Sequence, residues 1–102
     1  MAQVNVGILA TLRAKPGKEG QLAEFIRSAL PLAVGEPATV TWYAWQMDAS
    51  TFGIFDTFAD QSGRQAHLSG QIAAALMAKA PELLSEPPEL RMLDILAAKI
   101  PG

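Results

Sequence analysis

Residues 38–58 read "ATVTWYAWQMDASTFGIFDTF". Two runs rich in β-branched and aromatic residues, 38–47 and 51–58, flank the polar turn "DAST" (48–51), the pattern of a β-hairpin. Side chains alternate across a strand with a period of two. Val40, Trp42 and Ala44 therefore share one face of the first strand, and Tyr43, Trp45 and Met47 take the other. In the returning strand Phe52, Ile54 and Phe58 oppose Phe55. Both faces of this hairpin are apolar, whereas a sheet covered by helices on one side alone alternates apolar and polar. The second face therefore needs a cover, and a second copy of the same sheet supplies it. An exposed patch of Tyr43, Trp45, Met47 and Phe55 exceeds what monomers usually carry, so a homodimer through that face is expected.

Outward from the hairpin the remaining elements follow. "VNVGILATLR" (4–13) is a strand stopped by Lys15-Pro16-Gly17, with Val6, Ile8, Ala10 and Leu12 opposing Leu9. Leu22, Phe25, Ile26, Ala29, Leu30 and Ala33 then recur at helical spacing, and Pro31 predicts a kink or end within that stretch. After the hairpin, Asp60 is placed to cap a short helix, "QSGRQAHL". Ser69 is expected to cap a second helix over 71–80, with Ile72, Leu76 and Met77 inward, and Pro81 to open a further short turn. "SEPPE" is a linker, and 90–98 is the last strand. The order β-α-β-β-α-β predicts an α+β, ferredoxin-like βαββαβ domain with an antiparallel sheet, one domain over 1–102.

Composition removes several functions. Half of the 102 residues are hydrophobic, enough for a core without staples. There is no cysteine and one histidine, which argues against disulfides, iron–sulfur clusters and zinc. The net charge is −2 and the eight Lys and Arg are scattered, so nucleic acid is not an expected partner. No apolar run reaches the length of a membrane span and no signal peptide is visible, which predicts a cytoplasmic protein with no membrane partner. "GKEG" (17–20) lacks the spacing of a phosphate loop or a dinucleotide fingerprint, and no cofactor is expected.

The fragments "KPGKEGQLAEFI", "GEPATVTWYAWQ", "FGIFDTFADQSGRQAHLSG" and "APELLSEPPEL", in this order, resemble the antibiotic biosynthesis monooxygenase family over about residues 6–95. The resemblance implies that the ferredoxin-like unit forms a dimeric α+β barrel. It also implies a cofactor-independent monooxygenase acting on a hydroquinone-like or polyketide aromatic. The haem-degrading branch of that fold carries an Asn, a Trp and a haem-ligating His where this chain has Ala10, His67 and Met77, so haem is not expected.

Two polar residues are candidates for the chemistry. Asp56 shares the face of Ile54 and Phe58, where a carboxylate is costly to bury without a partner. His67, the only histidine, lies in the helix that follows that strand, and is expected to face the cavity between helices and sheet within reach of Asp56. Such a pair raises the histidine pKa and holds one tautomer. On the family reading His67 is the base that takes a proton from a phenol, with Asp56 orienting it. Trp42, Phe58, Ile8, Ala10 and Met77 are the expected walls of a pocket for a small aromatic. Arg64 is expected to be a solvated charge. The alternative is a non-catalytic dimeric domain that binds a small hydrophobic molecule or a protein, with Asp56 and His67 structural. A third reading is another small-molecule enzyme, such as an isomerase, on the same scaffold.

Overall fold

A computed structural model describes residues 3–101. Its elements are β1 (Val6–Arg13), α1 (Glu19–Ser28), α2 (Leu30–Val34), β2 (Thr39–Gln46), β3 (Thr51–Phe58), α3 (Gln61–Leu68), α4 (Gln71–Leu83) and β4 (Glu89–Asp94). The four strands form one sheet in the order β2-β3-β1-β4, with every neighbouring pair antiparallel. This is the expected ferredoxin-like arrangement. β1 and β3 sit in the middle, and they are the most buried strands of the sheet. Leu12, Phe52, Phe58 and Leu22 of α1 are fully buried and, with Ala10, Ile26, Ile54 and Leu76, form the core between sheet and helices.

Local chemistry accounts for most element ends. Pro31 lacks the N–H that would continue α1, and the helix breaks at Ala29, whose own N–H still reaches the Ile26 carbonyl at 3.2 Å. Asp48 turns the hairpin: its Oδ1 accepts from the backbone N–H groups of Ser50 (3.1 Å) and Thr51 (2.8 Å). Asp60 caps α3, accepting from the Gly63 N–H at 3.0 Å and the Ser62 hydroxyl at 2.8 Å.

Four expectations are corrected. Ser69 does not cap α4; it ends α3, and Gly70 occupies the N-cap of α4 without a side-chain bond. Pro81 does not start a new turn but lies inside α4. Bonds from outside the helix hold that last turn: Lys15 Nζ donates to the Pro81 carbonyl at 2.7 Å and the Lys15 N–H to the Leu83 carbonyl at 2.8 Å. β4 ends at Asp94, the last residue in register with β1, rather than at residue 98. Met77 is not inward with Ile72 and Leu76 but 60% exposed.

The face opposite the helices carries the predicted apolar set. Tyr43 pairs with Phe55 in register and their rings stack, with centroids 6.3 Å apart and 11° between planes. Trp45 pairs with Gly53 and lies flat on it: a Cβ at Gly53 would overlap both the indole and the Ala10 carbonyl. Gly53 is thus the flat spot that lets an indole rest on the sheet.

Candidate functional site

The site forms where α3 folds back over β3. Only Ala59 and Asp60 separate the two elements, so α3 must return along the helix side of the sheet. Gly63 permits the close approach, since a Cβ there would stand 3.3 Å from the Ala38 carbonyl. His67, near the end of α3, then lands over Asp56, with its ring tilted against Phe58 at 5.4 Å.

His67 Nε2 is 2.9 Å from Asp56 Oδ2, and His67 Nδ1 is 2.7 Å from Glu36 Oε1. The ring is therefore held between two carboxylates from segments far apart in the chain. Asp56 is 2% exposed, His67 8% and Glu36 21%, so the three step from the interior outward. Burial works against a charge on His67, but the hydrogen bonds to Asp56 and then Glu36 outweigh it, and the imidazole pKa is raised to about 9. A protonated imidazole in this position donates from both nitrogens, one to each carboxylate. Glu36 itself is oriented by the Thr39 hydroxyl, which donates to Oε1 at 2.7 Å.

Two spaces meet at His67. An inner cavity of about 150 Å³ between sheet and helices is lined by Ile8, Ala10, Ile54, Asp56, His67, Ile72, Leu76, Met77 and Leu90, among others. A wider groove of about 450 Å³ runs between the α2–β2 connection and the α3–α4 junction, past Leu32, Glu36, Pro37, Ala66 and His67. The inner space matches the volume at which an apolar cavity accepts a single benzene ring. Asp56 Oδ1 is buried and has no hydrogen-bond partner among the described residues; the same holds for Trp42 Nε1 on the neighbouring strand.

The expected meeting of His67 and Asp56 is present, and Ile8, Ala10 and Met77 line the inner cavity as expected. Trp42 and Phe58 do not line it. Phe58 is fully buried under the His67 ring, and Trp42 is packed between the two halves of the core. Arg64 is not a solvated charge. Its Nη1 donates to the carbonyls of Gly7 and Leu93 at 3.2 Å each, and its other nitrogens hold Gln61 Oε1. Glu36 escaped the sequence reading, because "GEP" looks like a chain break and its partner is 31 residues away. Among the described residues no His, Cys, Asp or Glu cluster is placed to hold a metal ion. Asp56 and Glu36 sit on opposite edges of the imidazole rather than around one point.

The whole architecture recurs in a solved protein of unknown function, NE2512 from Nitrosomonas europaea. It is 55% identical, with a TM-score of 0.96 over 97% of this chain and 96% of that one. The chain belongs to the family of that protein. No protein-family model matches the chain, and no curated protein matches it. More distant structures share the fold. One is a candidate antibiotic biosynthesis monooxygenase from Nitrosomonas europaea, 15% identical, TM-score 0.80, covering 94% of this chain and 95% of that one. Another, from Caulobacter crescentus, carries the same description at 17% identity and TM-score 0.78, covering 93% and 92%. At such identities the likeness establishes an antibiotic-biosynthesis-monooxygenase-like fold. No helix among the described residues is long and apolar enough to cross a membrane.

Proposed function

We propose that the protein is a cofactor-independent monooxygenase of a hydroquinone-like aromatic with one ring, working as a homodimer. The observation that carries this reading is the Asp56–His67 pair set into the wall of a small apolar cavity. The fold shared with candidate monooxygenases supports it. The volume favours one ring over the polycyclic phenols that the family resemblance also allowed. The chemistry asks for a dry pocket, a proton acceptor and a substrate that supplies its own electrons. A hydroquinone loses a proton, and its anion passes an electron to dioxygen. One oxygen atom enters the ring and the other leaves as water. The product is a hydroxyquinone, the substrate supplies all four electrons, and no external reductant is consumed. Asp56 and His67 handle the proton; Ile8, Ala10 and Met77 enclose the ring.

Oxygen uptake with hydroquinone and its alkyl derivatives tests this directly. Wild type is expected to exceed autoxidation, and Asp56→Asn to lose at least about 100-fold, the usual scale for removing a positioned proton acceptor. Uptake equal to that of buffer across the panel rejects the oxygenase. If those phenols still bind, the non-catalytic binding domain replaces it. The engagement of both His67 nitrogens in fixed hydrogen bonds favours this second reading.

The dimer uses the face of Tyr43, Trp45, Met47 and Phe55. Tyr43 is 56% and Met47 71% exposed in the single chain, a large apolar surface to leave in water. Sedimentation is expected to show a dimer at micromolar concentration, and Tyr43→Asp combined with Trp45→Asp to yield folded monomers. A wild-type monomer at that concentration contradicts the assignment.

A further inference from the structure

We infer that Glu36 is a positioning residue for the Asp56–His67 pair: it holds the Nδ1 proton of His67, and so keeps the Nε2–H directed at Asp56. The inference rests on the reading above only for its consequence in catalysis; the geometry stands by itself. Glu36 Oε1 is 2.7 Å from Nδ1, closer than Asp56 is to Nε2. A carboxylate accepts and does not donate when ionised, so this contact assigns a proton to Nδ1. The buried Asp56 assigns the other to Nε2 by the same rule. Glu36 is itself fixed, by the Thr39 hydroxyl at 2.7 Å and by the start of α4, where a Cβ on Gly70 would come within 3.3 Å of Oε2. Ionised, it also faces the positive end of the α4 dipole.

The charged groups around the ring are few. β3 contributes Asp56, the α2–β2 connection contributes Glu36, and these are the only ion-pair partners of His67 among the described residues. Arg64, one turn earlier on α3, is spent on backbone carbonyls and Gln61. α4 presents Gln71 to the groove and no charge. With both nitrogens protonated, neither has a lone pair to act as a base. The unpartnered oxygen of the pair is Asp56 Oδ1, and Asp56 lines the inner cavity. Glu36 lines the outer groove and not the inner cavity, so it acts on a bound ring only through His67.

Because His67 is the only histidine, its ring nitrogens are read without assignment in a ¹⁵N-histidine-labelled sample. Wild type at pH 7.5 is expected to show two protonated nitrogens. Glu36→Gln, which keeps the shape and loses the charge, is expected to lower the titration midpoint by at least about one unit. Glu36→Asp retains the charge at a longer reach and is expected to fall between the two, a graded series that loss of packing would not produce. In oxygen uptake, Glu36→Gln is expected to lower kcat and shift its alkaline limb downward with KM unchanged. A Glu36→Gln midpoint equal to wild type, or a wild-type ring with one bare nitrogen at pH 7.5, overturns the inference whatever the turnover. A shifted midpoint in a protein that consumes no oxygen upholds the role of Glu36 and rejects the oxygenase.

Discussion

His67→Ala is expected to destabilise the fold by about 3–5 kcal/mol in urea titration at pH 7, the scale for removing one member of a buried ion pair. The imidazole is the only group that satisfies Asp56 among the described residues, and Asp56 is 2% exposed with its other oxygen already unpartnered. Without His67 the carboxylate faces the apolar inner cavity with no donor at either oxygen. Glu36, at 21% exposed, can turn to the groove and be hydrated, so the cost falls on Asp56. Adding Asp56→Asn to His67→Ala is therefore expected to recover a large part of the loss, because the stranded charge is gone. A loss below about 1 kcal/mol, or no recovery in the double variant, contradicts the account. The same pair sets a pH dependence. The folded-state pKa of His67 is raised to about 9 from an ordinary value of 6.5. The folded chain thus binds the extra proton between those values, and stability falls as pH rises through that window. The contribution is fully present below pH 6.5 and lost through about pH 9. With the Glu36 side open to the groove and partly screened, it amounts to about 2 kcal/mol. His67→Ala is expected to flatten that slope.

Gly53→Ala is expected to cost about 3 kcal/mol, the upper end for forcing a methyl group into a packed site. In most strands the exchange would stabilise slightly, since glycine pays the larger entropy. Here the new methyl would overlap the Trp45 indole on one side and the Ala10 carbonyl on the other. The indole can move and the central strand cannot. Trp45→Ala together with Gly53→Ala is therefore expected to be less destabilised than the sum of the two, by about 1 kcal/mol or more. Thermal denaturation of the four proteins completes the cycle. Additive losses mean that Trp45 does not rest on Gly53. If the homodimer forms through this face, Gly53→Ala also weakens it, because a lifted indole no longer presents a flat surface.

Several features follow from the amino-acid order alone because their causes are local. The hairpin over 38–58 is set by β-branched and aromatic runs on either side of the Asp48 turn, and the break after α1 by Pro31. Asp56 shares a face with Ile54 because a strand has a period of two, and His67 reaches it because the Ala59–Asp60 link leaves α3 no other course. The cavity, the charge and the third member of the cluster are different in kind. Glu36 meets His67 across 31 residues, through the whole hairpin and most of α3, and no short-range signal encodes that contact. The last turn of α4, which contains Pro81, has its Pro81 carbonyl capped by Lys15, 66 residues away. Trp42 and Phe58 are on the predicted face yet miss the cavity, since parity assigns a side but not which neighbours fill the space. Whether His67 is a base or a cation is likewise a tertiary matter. It depends on how many carboxylates close on one ring, and that number is decided only when three distant segments pack together.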